Sequence, residues 1–257
     1  MNIAVFIKPS LDLSFLKFEN SRIIMEKIPL TIGDFDRVAL EEAIRIKEKT
    51  GAKVIIFSAL TWGPIEKRTQ EIEKIARECL AMGADEVHLI IDERLINSST
   101  LEVTEALHAL IKKIGDFDIY LASEASSDIS SYQFASRLAT LLNIPVITFV
   151  RKIVLENNSI IAERDLEDRT EIVEFTLPCF ISVTGEMNQP RKATVRQILQ
   201  AKTKPLYKHR MGDLAIIKQS PNFDIFVKQV ERKKILIDGD VNKIADILVN
   251  ILKDYMS

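Results

Sequence analysis

Glycine is scarce in this chain, with eight in 257 residues. That scarcity disfavours a phosphate cradle built from consecutive glycines. Neither G-x-G-x-x-G after a strand nor G-x-x-x-x-G-K-[ST] occurs, so the usual dinucleotide and P-loop signals are missing. The two cysteines, Cys79 and Cys179, lie far apart with no C-x-x-C partner. This argues against a zinc site or a disulfide framework and for a reducing cytoplasm. No apolar run approaches the ~18 residues that span a bilayer. The opening MNIAVFIKPS is too short, and too soon followed by charge, for a signal peptide. A net charge of −2 argues against a broad basic face for nucleic acid, and basic spots such as residues 232–234 read as solvated ends. His88, His108 and His209 lie on different elements without neighbours at ligand or triad spacing. No paired acid and base and no Ser/His/Asp arrangement is legible. We therefore expect no self-contained catalyst, no catalytic residue and no metal site.

What is present is a core-forming composition, 47% hydrophobic and 28% charged, enough for one large domain or a domain with an appendage. Short β-branched runs at residues 2–7, 53–58, 86–91, 118–121 and 145–150 are nearly all apolar, as strands buried on both faces should be. Helical patterns separate them. In residues 36–51 an apolar stripe, a Glu41/Arg45 pair and a terminal Gly51 mark one helix. Others are expected over 64–82, 99–114 and 130–142. Strand–helix alternation predicts an α/β fold, a parallel sheet flanked by helices with right-handed crossovers. After residue 150 the pattern changes to strands at 152–156 and 160–164 around an Asn157-Asn158 turn, then 169–176 and 179–184. The segment from Gly185 on is basic and poor in core-like runs until a last helix at 241–255. We expect a nucleotide-binding domain over 1–184 and an arm over 185–257, packed on its own domain or on another subunit.

Ligands of open parallel sheets bind beyond the carboxyl ends of the strands. Those ends here offer Lys8-Pro9, Ser58-Ala59, Asp92 and the run ASEASSDISSYQF at 122–134. Five serines before a helix suit an anion, because free N–H groups and the positive dipole end attract one. The alternative is that Asp128 or Ser130 caps the helix and the rest is solvated loop.

A set of segments carries a family resemblance over almost the whole chain: KPSLD at 8–12, DFDRVALEEAIRIKEK at 34–49 and LAMGADEV at 80–87. TLPCFISVT at 176–184, NQPRKAT at 188–194, QILQAK at 197–202 and MGDL at 211–214 follow in order. The chain resembles an electron transfer flavoprotein beta subunit. The resemblance implies a Rossmann-like adenine-nucleotide-binding fold with a β-hairpin extension. It implies an alpha subunit holding most contacts to a shared FAD, with AMP, or in bifurcating members a second FAD, in the beta subunit. Flavin dehydrogenases such as acyl-CoA dehydrogenases would be donors, and a quinone reductase or related protein the acceptor. The chemistry would then belong to the flavin, with the protein supplying position and partner choice.

The family's phosphate loop, G-x-Q-A-x-D-x-D-T-x-Q-x-G, falls on residues 123–135. Asp128 and Gln133 match it, and Ser131 stands where Thr is usual. Ser123, Ala125, Ser130 and Ala135 replace Gly, Gln, Asp and Gly. A β-carbon at Ser123 or Ala135 is expected to crowd a phosphate. The N-P-F/Y-D segment appears as Gly33-Asp34-Phe35-Asp36, and Leu13 sits where relatives carry an aromatic residue near the flavin. The cofactor-binding residues implied are Phe6, Gly33, Asp34, Phe35, Asp36, Ala59, Ser123, Glu124, Ala125, Ser126, Ser127, Asp128, Ser130, Ser131 and Gln133. Met187, Pro190 and Arg191 would form the partner-recognition loop. A rival from another class is a stand-alone adenine-nucleotide-binding regulator of the same fold.

Overall fold

The structure is a computed structural model that describes residues 1–19, 22–156, 158–214 and 236–256. Asn157 of the expected turn and the basic residues 232–234 lie outside the described residues. The chain groups into two compact units, Met1–Ile225 and Phe226–Ser257.

The first unit is built on strands β1 (Asn2–Phe6), β2 (Pro9–Leu11), β3 (Phe18–Glu19), β4 (Arg22–Ile23) and β5 (Leu30–Ile32), then helix α1 (Asp34–Thr50). There follow β6 (Lys53–Ala59), α2 (Ile65–Met82), β7 (Glu86–Ile90), α3 (Thr100–Ile114), β8 (Ile119–Ser123) and α4 (Phe134–Leu142). The later elements are β9 (Val146–Glu156), β10 (Ser159–Asp165), β11 (Thr170–Thr176), β12 (Cys179–Val183), α5 (Val195–Ala201) and β13 (Leu206–His209). Nine strands form one sheet in the order β11-β10-β9-β12-β8-β1-β6-β7-β13. The seven from β9 to β13 pair in parallel, and β9, β10 and β11 pair antiparallel as an edge meander. The expected α/β fold is observed.

Period-two alternation explains why both faces are covered. Ile3 and Val5 join a core with α1 and α2, whereas Ala4 and Phe6 turn to a core with α3 and α4. On that second face, aromatic rings cross the sheet in a row. Phe180 and Phe57 stack on either side of Phe6, and His88 continues the row from Phe57 to Tyr207. Helices α1, α2 and α3 end at glycines, of which Gly51 sits at φ 72°, a left-handed C-cap that a β-carbon would strain.

Three expectations change. Helix α4 begins at Phe134 rather than at residue 130, because Ser130 and Tyr132 take positive φ (50° and 54°), which no helix accommodates. Runs 145–150 and 152–156 are one strand, β9, whose register shifts against its neighbours, with Phe149 at φ 60°, instead of breaking. Within the first unit, β13 completes the sheet beside β7 and α5 lies on α2. The histidines are not all scattered either. The parallel pairing of β7 and β13 brings His88 Nδ1 within 2.9 Å of His209 Nε2, and His88 Nε2 is 2.6 Å from Glu86.

In the second unit, α6 (Val241–Met256) is the expected last helix. Val241, Leu248 and Leu252 on it are exposed, an apolar stripe at helical spacing. Among the described residues, no helix is long and apolar enough to cross a membrane.

Candidate functional site

Strand order turns outward at β1, whose neighbours β8 and β6 lead to opposite halves of the sheet. Open α/β sheets form a crevice at such a point. A cavity of about 470 Å³ lies there. Phe6 to Lys8, Phe57 with Ala59, and Ala122 with Ser123 line its floor from β1, β6 and β8. One wall is residues 97–101, leading into α3; the other is the loop after β8, leading into α4.

Of the residues expected to hold a nucleotide, Phe6, Asp36, Ala59, Ser123, Glu124, Ala125, Ser126, Ser131 and Gln133 line this cavity. Gly33, Asp34, Phe35, Ser127, Asp128 and Ser130 do not. Gly33 caps α1 with a β-carbon position 3.4 Å from Ser127 Oγ, and Asp34 is exposed. Phe35 turns away to cover Gly185, whose added β-carbon would meet its ring at 2.6 Å.

Asp128 is a structural hub. Its side chain is 1% exposed and takes both contacts of the Lys8 ammonium (2.6 and 2.5 Å). The Trp62 indole N–H (2.9 Å) and the Leu11 N–H (3.2 Å) also donate to it. It therefore ties the loop to the ends of β1 and β6 and caps no helix, which corrects the capping alternative. Burial raises the Asp128 pKa, but the Lys8 charge and the hydrogen bonds outweigh it and hold the carboxyl below its usual range. Burial lowers Lys8 more than Asp128 and Asp36 raise it. The Lys8 side chain keeps 31% exposure and some hydration, which holds the pair in its ionised form. Ser126 organises the rest of the loop: its carbonyl accepts from the Ser130 N–H (3.1 Å) and hydroxyl (3.0 Å) in a single isolated turn.

Beyond that turn the backbone is uncommitted. The N–H groups of residues 131–136 donate to no protein acceptor among the described residues. Gln133, the N-cap of α4, makes no side-chain capping bond. Positive φ at Tyr132 (54°) followed by helical Gln133 (φ −110°, ψ −22°) is the alternation that turns successive N–H groups to one side. By contrast the start of α3 is already satisfied by a capping box between Ser99 and Glu102. Ser131 Oγ reaches across the cavity to Thr100 Oγ1 at 3.2 Å.

Ala135 does not line the cavity; its methyl is buried in the α3/α4 core. Ser123 does line it, but its hydroxyl is held by Asp36 Oδ1 at 2.6 Å. Sequence reasoning missed the 97–101 wall, Trp62 and Arg137. The end of β7 was assigned to Asp92, yet that carboxyl binds Arg94, is held down to about 2 by it, and also takes the Met211 N–H (2.9 Å). The chain makes a 3-10 turn, Glu93–Leu95, before it reaches the cavity.

The profile of the Electron transfer flavoprotein domain matches residues 22–213. The chain belongs to the electron transfer flavoprotein family. An electron transfer flavoprotein subunit beta of Thermoanaerobacterium thermosaccharolyticum is 36% identical over 206 residues, 79% of this chain and 76% of the relative. The Bacillus subtilis electron transfer flavoprotein subunit beta is 32% identical over 98% of both chains. The caffeyl-CoA reductase-Etf complex subunit CarD of Acetobacterium woodii is 31% identical, covering 99% of this chain and 98% of the relative. In this family member the expected recognition loop is stapled to α1. Arg191 binds Glu41 through Nε (2.8 Å) and Nη2 (3.0 Å) and also binds Glu48, while Asn188 donates to the Val38 carbonyl (3.1 Å) and to Glu42 (3.2 Å). Met187 is half-buried against the α1/α2 core, and Pro190 is half-buried beside it in sequence. Among the described residues, no cluster of three or more metal-ligating side chains occurs.

Proposed function

We propose that this chain is the beta subunit of a heterodimeric electron transfer flavoprotein and that its cavity holds an adenine nucleotide, AMP in the first instance. The observation that carries the reading is the cavity at the β1 turning point, lined by residues 131–134, whose N–H groups have no protein acceptor among the described residues. Its volume of about 470 Å³ suits a mononucleotide. The apolar rings of Phe6, Phe57 and Phe134 suit a base, and the N–H groups with Ser131 suit a phosphate. FAD shared with an alpha subunit supplies the redox chemistry when bound. This chain's residues contribute docking surface and keep water from the nucleotide. Flavin dehydrogenases are the donors in this reading and a quinone reductase or related protein the acceptor. Arg191 fixes the recognition loop to α1, so contact falls to Met187 and to the exposed Val195, Ile198 and Leu199 of α5.

Calorimetry with AMP, ADP and FAD on the wild type and Ser131→Ala tests the cavity. We expect AMP to bind and Ser131→Ala to weaken it roughly tenfold, the equivalent of ~1.4 kcal/mol. Absence of binding by all three, with and without an alpha-type subunit, would refute the nucleotide reading. The isolated chain should be colourless and the co-expressed pair yellow. Stoichiometric FAD on this chain alone would instead point to a bifurcating type.

A further inference from the structure

Around the cavity the charges do not balance once an anion is inside. Lys8 and Asp128 neutralise each other, and among the other charged residues lining the cavity Glu124 and Arg137 carry opposite signs. Asp36 remains, buried at the first turn of α1, with the Ser123 hydroxyl on Oδ1 (2.6 Å) and the Lys8 N–H on Oδ2 (3.1 Å). The groups facing it are Lys8 from the end of β1, Asp128 from the loop, and from α2 the thiol of Cys79, which burial keeps neutral. The hydroxyl geometry adds a second imbalance. Ser123 Oγ has one proton but two acceptors in reach, Asp36 Oδ1 and the Ala125 carbonyl at 3.0 Å. A protonated Asp36 satisfies both, donating to Ser123 Oγ while Ser123 donates to Ala125.

We propose that Asp36 sets the charge selectivity of the cavity: it takes up one solvent proton as an anionic nucleotide binds, and in its ionised form it turns the same ligand away. This rests on the adenine-nucleotide reading. Burial already pushes the Asp36 carboxyl up to about 7, so the proton is close at hand at neutral pH. A phosphate in the cavity that this buried carboxyl lines raises it further, because like charges repel.

The full chain is titrated with AMP and with adenosine between about pH 6.5 and 8.5. The variants are Asp36→Asn and Ser123→Ala. For the wild type, AMP affinity should fall by up to about tenfold per pH unit above ~7, while adenosine affinity stays level. AMP's own second ionisation, near ~6, is common to all variants and cancels in the comparison. Asp36→Asn should flatten the AMP profile. Ser123→Ala leaves the titrating carboxyl in place and should keep the slope. Equal AMP slopes in wild type and Asp36→Asn overturn the inference, as does adenosine binding with no AMP binding at any pH. If neither ligand binds, the nucleotide reading falls and this inference with it.

Discussion

Removing the Asp128 carboxylate should do more damage than any other single change in the loop. In Asp128→Ala, Lys8 is left without its counter-ion, and the Trp62 and Leu11 N–H groups lose their acceptor. Breaking a buried ion pair from one side costs ~3–5 kcal/mol. Lys8 keeps 31% side-chain exposure, so we take ~2 kcal/mol for the stranded ammonium. Two buried donors without partners add ~1 kcal/mol each. The sum, ~4 kcal/mol, corresponds to a melting temperature lower by ~8–16 °C in a chain of this size. Trp62 is the chain's one tryptophan and touches the deleted group, so its fluorescence reports the site while circular dichroism reports the fold. Lys8→Met with Asp128→Leu removes both charges and should recover about half the loss, because only the two orphaned donors remain. Asp128 is no hub if Asp128→Ala lowers the melting temperature by less than about 3 °C, or if the double variant is no more stable than the single one.

Two further outcomes are expected. Arg191→Ala should destabilise the chain by ~2 kcal/mol at neutral pH, because Glu41, 4% exposed, keeps only Arg45 as a cationic partner. Hydrogen bonds and the Arg191 charge, opposed by burial, leave the folded Glu41 pKa below its usual value. That stability is present above the unfolded pKa of ~4.3 and is lost as pH falls through the folded value, so melting curves of variant and wild type should converge below about pH 4. Gly185→Ala places a methyl 2.6 Å from the Phe35 ring and should cost ~1–3 kcal/mol by denaturant melting; an unchanged midpoint would show that Phe35 moves aside freely.

Local signals were the legible part of this chain. Helices α1, α2 and α3 declared themselves through apolar stripes, capping residues and terminal glycines, all of which act within a few residues. The start of α4 was misread because a serine-rich stretch offers several cap signals, and only tertiary contacts decide which fails. Here Asp128 was drawn off to Lys8 and Trp62. Strand β13 carries Tyr207 and Lys208, both exposed, so it lacks the apolar run of its buried neighbours. An edge strand needs one face only, and its signal is correspondingly weak. The floor of the cavity followed from strand ends. The wall at 97–101 did not, because six residues, three of them in a 3-10 turn, separate it from β7.

In the loop after β8, rigidity comes from side chains rather than from a glycine-built backbone. Glycines let a loop adopt positive φ without strain. Here Ser130 and Tyr132 do so as ordinary residues, at ~1–2 kcal/mol each. Such strain persists only where surrounding contacts over-determine the conformation. The Asp128 hub supplies those contacts, tying the loop to Lys8, Leu11 and Trp62, and Ser126 holds the intervening turn. The two β-carbons that were expected to crowd a phosphate are absorbed as well. The Ala135 methyl enters the core under α4, and the Ser123 side chain is drawn to Asp36. With both drawn away, the N–H groups of residues 131–136 keep no protein acceptor among the described residues, and the loop reaches that state with no glycine of its own.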